Sequence, residues 1–250
     1  MNFLTREMSF RDKSYRIVCT SDPLPTGEPQ HPSWFSFYDE VEVRRTKWGV
    51  MEGDLILDIG AAYGSYALCG LAVGAAKALA WSPPELCEAT RVWFDGSATD
   101  CMVCEADFME ASARANGWAD RLEVFRHGVY DRSGSVQTET QEFSEAEQSG
   151  KCWIRVTSLD DQLRPRLDEL AKYPRAWMKL DVEGAELHVL KGAAKVIERL
   201  RPLVCVEHHK FKIPTIEEDV RQYLESFGYE VMAITPYHSV SHGLYVPSAT

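Results

Sequence analysis

The chain carries no apolar run suited to crossing a bilayer. Its longest, Tyr66 to Trp81, is broken by Lys77 and begins inside a glycine-rich turn. No apolar core follows the first residues either, where Arg6, Glu7, Arg11, Asp12 and Lys13 stand, so no export signal is expected. The seven cysteines are odd in number and follow no regular spacing. That disfavours a disulfide framework and leads to the expectation of a reducing, cytoplasmic setting. Cys101-x-x-Cys104 lacks a nearby second Cys or His pair that would complete a zinc site, and no metal is assigned. Basic residues are outnumbered, 27 against 38 acidic, for a net charge of −11. Arg44-Arg45 and Lys210/Lys212 are too small to form a basic patch. Such a chain repels nucleic-acid phosphates and anionic membranes, so neither is an expected partner. Internal repeats and low-complexity tracts are also missing. What is present is 250 residues, 45% of them apolar, enough for one α/β domain with a substantial core.

The most informative stretch is Asp58-Ile-Gly-Ala-Ala-Tyr-Gly-Ser-Tyr-Ala-Leu68. Leu55-Ile56-Leu57 before it reads as a short strand buried on both faces, and Ala67 to Val73 reads as a buried helix. Gly60 and Gly64, with small Ala61 and Ala62 between them, let the backbone turn and approach a ligand. The amides of the helix start favour an anionic group. Position 62 is alanine and position 65 serine, so the loop departs from the dinucleotide fingerprint, and it lacks the Gly-Lys-Ser/Thr of a P-loop. Asp58 would repel a pyrophosphate and suits a ligand carrying an amine or a sulfonium. S-adenosylmethionine has both, and a carboxylate for the helix amides. An ordinary strand-turn-helix remains the alternative on this segment alone.

A second segment, Trp177-Met-Lys-Leu-Asp181-Val-Glu-Gly-Ala-Glu186-Leu-His-Val-Leu-Lys-Gly-Ala193, resembles the signature of FkbM-type methyltransferases. There a strand ends in aspartate and a Glu-Gly-Ala-Glu turn opens a helix. Val156 to Asp161 before it and Arg201 to His208 after it are similar to that family in the same order, and the resemblance runs from about Leu55 to about Val231. It implies an α/β, class I methyltransferase (Rossmann-like) fold whose mostly parallel sheet has helices on both faces and an antiparallel edge strand. It further implies S-adenosylmethionine as donor and a hydroxyl as acceptor.

Residues 1–53 are read as an N-terminal extension and 54–250 as the methyltransferase domain. Ser14 to Thr20 alternates as a strand, and Pro23, Pro25, Gly27, Pro29 and Pro32 make an irregular stretch. Trp34, Phe35, Phe37, Tyr38 and Trp48 either cap the core or form a lid over the acceptor pocket. Strands are predicted at 55–59, 77–81, 122–127, 176–181 and 203–207, with a final pair at 229–234 and 243–246. Leu187, Leu190, Ala194 and Ile197 predict one helix from Gly184 to about Leu200. Thr215-Ile-Glu-Glu218 predicts a capping box for a helix stopped by Gly228. Cys101 to Cys104 could form an extra strand, and the glutamate-rich 133–151 a surface hairpin or loop.

Ligands of open α/β sheets bind beyond the carboxyl ends of the strands. That rule selects Asp58, Ser82, Gly128 with Val129, Asp181, and Glu207 with His208. Asp58, Gly60, Ala61, Tyr63 and Gly64 form the expected wall around the methionine end of the cofactor. Ser82, Gly128 and Val129 complete the cofactor set. The resemblance implies a Phe-Glu-Pro at the second strand, whose glutamate takes the ribose hydroxyls; this chain has Trp81-Ser82-Pro83, and Glu105 is a candidate substitute. Asp181 is expected at the reaction centre, where it would orient the acceptor hydroxyl, steady the sulfonium or bind a divalent cation. A cap on the following helix is the alternative, though Glu183 and Glu186 suit that better. His208 is the preferred base; His209 would point the other way, His188 is read as structural, and His127, His238 and His242 carry less weight. The function expected is O-methylation of a small molecule or glycan. Its rivals are a metal-assisted variant with Asp181 and Glu207 as oxygen ligands, a non-catalytic S-adenosylmethionine-binding protein, and, against the glycine spacing, a nicotinamide oxidoreductase.

Overall fold

A computed structural model describes residues 3–10, 13–20, 49–84, 105–139, 151–237 and 239–248. The aromatic group at 34–48, Cys101 to Cys104 and His238 lie outside the described residues. β1 (Phe3–Phe10) and β2 (Lys13–Thr20) form an antiparallel hairpin. β3 (Leu55–Ile59), α1 (Ser65–Ala72), β4 (Lys77–Trp81), α2 (Glu105–Ala115) and β5 (Leu122–Phe125) follow. Then come β6 (Gly128–Val129), β7 (Gly134–Glu139), β8 (Lys151–Thr157), α3 (Leu159–Leu163), α4 (Leu167–Leu170) and β9 (Ala176–Leu180). The chain continues through α5 (Glu186–Lys191), α6 (Ala194–Leu200), β10 (Leu203–His208), α7 (Ile216–Glu225), β11 (Tyr229–Tyr237) and β12 (Val240–Pro247).

Seven strands make the central sheet, in the order β11-β12-β10-β9-β3-β4-β5. Every pair from β10 to β5 is parallel. β12 is antiparallel to both neighbours, so β11, the outermost strand, again runs with the parallel set. The antiparallel strand therefore lies one place in from the edge that the family resemblance implied.

The central strands are apolar on both sides because both faces are covered. Leu55, Leu57 and Ile59 of β3 join one buried cluster with Leu79, Trp81, Met178, Leu180, Val204 and Val206. Ile56 joins the other with Ala78, Ala80, Trp177 and Cys205. Since side chains alternate along a strand, Asp58, Lys179 and Glu207 fall on the second face, at its carboxyl end. The register sets Asp58 opposite Lys179, and Glu207 opposite His242. Polar residues are thus gathered where the strands emerge.

Three local readings are corrected. The strand expected over 122–127 stops at Phe125, and Gly128–Val129 joins a separate three-stranded sheet, β6-β8-β7, which contains the hairpin anticipated in 133–151. Residues 184–200 form two helices, not one. Asp160 of α3 accepts from the amides of Lys195 at 3.0 Å and Val196 at 3.1 Å, capping α6 from outside the helix. Thr215 makes no capping box: its backbone is already near-helical, and its hydroxyl donates to Asp219 at 2.8 Å. Glu218 pairs with Arg221 instead. The predicted N-terminal strand exists, and it docks on α2, where the Val18 amide donates to Ser112 Oγ at 2.8 Å.

Candidate active site

The order of strands reverses between β3 and β9: the chain moves outward to β4 and β5 from one, and to β10 from the other. Such a switch point opens a crevice beyond the strand ends. The loop after β3 and the residues after β9 meet there. Asp181 N donates to the Ile59 carbonyl at 3.0 Å. A Cβ on Gly60, which has φ +78°, would lie 1.8 Å from the Asp181 carbonyl oxygen, so no side chain fits at position 60. The Gly60 and Ala61 amides donate to the Trp81 carbonyl at 3.1 and 2.9 Å, tying the loop to β4 as well. Asp58 is buried and accepts from the Ala67 amide at 3.0 Å, closing one of the open donors of α1. Burial pushes its carboxyl up to about 6, against the pull of Lys179 and the Ala67 hydrogen bond. Tyr63 is half-buried with its ring 5.7 Å from Phe108, and a Cβ on Gly64 would meet Met109 at 2.3 Å. Loop and α2 are therefore packed together.

Ser82, at the end of β4, is buried and donates to Glu105 Oε2 at 3.2 Å. Glu105 opens α2, one turn before the Phe108 and Met109 that touch the glycine loop. Burial pushes its carboxyl above the ordinary range, partly offset by the Ser82 hydroxyl. Gly128 and Val129 are buried in the small sheet, and a Cβ on Gly128 would lie 3.2 Å from Ile154 and Val156 side-chain atoms.

At the same end of the sheet stands a network of charges. Asp181 Oδ2 pairs with the buried Lys179 at 3.2 Å, and its Oδ1 lies 3.7 Å from His209 Nε2. The same nitrogen is 3.5 Å from Glu183 and 3.8 Å from Glu207. His209 Nδ1 donates to Glu186 Oε1 at 2.6 Å, and that oxygen also accepts from the Gly184 amide at 3.0 Å. Glu186 thus holds the turn that opens α5. Burial works to lower the His209 ring, but hydrogen bonds and charge from Glu183 and Glu186 outweigh it and push it up to about 10. Burial, then the charge of Asp181, pushes Glu207 up to about 7. His208 is not part of this network. It lies on the opposite side of β10, its Nδ1 donating to the Ser241 carbonyl at 3.1 Å and its Nε2 accepting from Tyr245 at 2.9 Å. The bond accepted from Tyr245 requires the neutral ring, and burial holds it down to about 4.

The model of the FkbM methyltransferase domain matches residues 94–231, more than half of the chain. The chain belongs to the FkbM methyltransferase family. In three dimensions it is similar to the methyltransferase FkbM of Methylobacillus flagellatus KT, with a TM-score of 0.56 and 18% identity over 84% of this chain and 47% of that one. It spans about half the length of that structure. It is also similar to the ribosomal protein L11 methylase of Lactobacillus delbrueckii subsp. bulgaricus, at 12% identity and a TM-score of 0.47, over 86% of this chain and 78% of that one. No curated protein matches the chain in sequence. The fold is the class I methyltransferase one. The range matched to the FkbM family holds Asp181, Glu207 and His209 and starts after the glycine loop, which is placed by the crevice geometry alone.

Sequence reasoning missed two members of this FkbM network. Lys179 sits inside an apolar strand, and a lysine there is almost never buried without a partner; that was the available signal. His209 follows two residues after Glu207, the period that puts side chains on one face of a strand.

Proposed function

We propose that this FkbM-family chain is an S-adenosylmethionine-dependent methyltransferase that methylates a hydroxyl of a small molecule or glycan. One observation carries the reading: the glycine loop beside Asp58 and the Asp181–Glu207–His209 cluster lie at the carboxyl end of one sheet, at its switch point, and are locked together at Gly60. The donor fits the residues present. Glu105, held by Ser82 at the end of β4, supplies the carboxylate suited to a ribose diol that position 82 lacks. Asp58 and the α1 start line the methionine end, and Gly128 and Val129 complete the cofactor wall. S-adenosylmethionine, when bound, supplies a methyl group on a sulfonium that an oxygen nucleophile displaces in line.

The protein then has to orient the hydroxyl and accept its proton. Asp181, with Oδ2 fixed by Lys179, orients the acceptor through its other oxygen. Glu207, pushed up to about 7, is matched to taking up a proton near neutral pH. Exposed Phe211, its ring 5.7 Å from His209, offers the acceptor an apolar contact at the rim. The acidic chain favours a small or uncharged acceptor over nucleic acid, and the buried thiols of Cys69 and Cys205 suit a reducing cytoplasm. The test is transfer of labelled methyl groups from S-adenosylmethionine to a panel of hydroxyl compounds. Label on an oxygen of at least one acceptor is expected. Label found only on nitrogen or carbon acceptors would overturn the O-methylation reading.

A further inference from the structure

We infer that Asp181, Glu207 and His209 form a binding site for one divalent cation of the class that accepts imidazole, Mn²⁺ to Zn²⁺, with Glu186 as the residue that positions the histidine. The ligand atoms of the three side chains lie within 4.8 Å of one another. Around a small cation with bonds of about 2.1 Å, adjacent ligand atoms sit about 3 Å apart. The observed separations of 3.7 and 3.8 Å from His209 Nε2 to Asp181 and Glu207 must therefore close by less than an ångström.

The histidine distinguishes this group from a chance gathering of acids. His209 is 2% exposed, and its Nε2 faces three carboxylates at once, 3.5 Å from Glu183, 3.7 Å from Asp181 and 3.8 Å from Glu207. Its other nitrogen is fixed by a fully buried carboxylate, Glu186, at 2.6 Å. A carboxylate on the far ring nitrogen is the arrangement that orients metal-binding histidines and leaves Nε2 as the ligand. The second oxygen of Glu186 is buried with no hydrogen-bond partner among the described residues. Lys179 occupies Asp181 Oδ2 and leaves Oδ1 facing His209.

Charge agrees with geometry. Asp181, Glu183, Glu186 and Glu207 are four carboxylates within ion-pair distance of His209, and Lys179 and Lys212 are the ammonium groups paired to them. The imidazole favours Mn²⁺ to Zn²⁺ over Mg²⁺ or Ca²⁺, which prefer all-oxygen sites. The site stands on this geometry; only a part in catalysis rests on the methyl-transfer reading, in which the cation would lower the pKa of the acceptor hydroxyl, Glu207 then being a ligand and not the group that takes the proton.

Mn²⁺ titrated into the purified full chain, without cofactor or acceptor, is followed by the loss of the free-ion electron paramagnetic resonance signal. We expect one ion bound per chain and, from echo modulation on the wild-type protein, a coordinated imidazole nitrogen. Asp181→Asn and Glu207→Gln should abolish binding, and Glu186→Gln should weaken it by about 10- to 100-fold. The nitrogen signature needs no variant, so a variant that fails to fold leaves the test intact. Absence of binding, binding without coordinated nitrogen, or folded variants that bind as the wild type would each overturn the site. S-adenosylhomocysteine binding is measured separately on the same protein, so failure of the metal site and failure of the methyl-transfer reading are distinguishable.

Discussion

Ser82 and Glu105 show how a function implied at one position can be carried by its neighbour. The hydroxyl of Ser82 donates to Glu105, so the carboxylate stands at the end of β4 although it comes from the start of α2. Glu105→Ala should weaken S-adenosylhomocysteine binding by roughly 1–3 kcal/mol, the range for a hydrogen bond to a charged group. Ser82→Glu should weaken it too, by setting a second carboxylate against the first; tighter binding would return the ribose contact to position 82. Isothermal titration of both variants decides. Asp181→Asn keeps the shape and removes the charge, and turnover should fall by about a hundredfold with cofactor affinity nearly unchanged. Turnover equal to wild type would remove Asp181 from the reaction centre. At this scale Asp181 and Glu207 were legible because an acid ending a buried strand is seldom there for packing. The choice between His208 and His209 was not. It depends on which side of β10 meets Tyr245 and Ser241, and that is a property of β12, a strand distant in the sequence.

Elements were legible where they are covered on both sides or strongly periodic. The runs at 55–59 and 77–81 coincide with β3 and β4, and the helix expected between Thr215 and Gly228 is α7. The break between α5 and α6 was hidden because the periodicity of Leu187, Leu190, Ala194 and Ile197 survives it. Its cause is Asp160, thirty-five residues upstream of Lys195. Asp160→Ala should cost about 0.5–2 kcal/mol in urea unfolding, as for loss of an N-cap, while Asp160→Asn should cost less. An unchanged midpoint in the alanine variant would show that the break does not depend on the cap. Gly60→Ala is expected to be harsher. It combines a left-handed φ with a Cβ 1.8 Å from the Asp181 carbonyl, and should cost more than about 2 kcal/mol and lower S-adenosylhomocysteine affinity. Gly117 also has a positive φ, +73°, with nothing near its Cβ position; Gly117→Ala should show a smaller loss, which separates strain from collision.

For the whole molecule, alternating strands and helices announced a mostly parallel sheet, and the segment around Asp181 announced the family. The reversal of strand order, which joins the glycine loop to the acidic network, is a three-dimensional fact that periodicity does not contain. The account depends on that crevice being a cofactor site for S-adenosylmethionine rather than for a dinucleotide. A ligand that binds only the folded chain stabilises it by about 2.7 kcal/mol at a hundred times its Kd. Thermal unfolding with S-adenosylhomocysteine and, separately, with NAD is therefore the most direct measurement. The account predicts a rise in Tm with S-adenosylhomocysteine that saturates with concentration and is lost in Gly60→Val if that variant folds, with no rise for NAD. A rise with NAD and none with S-adenosylhomocysteine would contradict it.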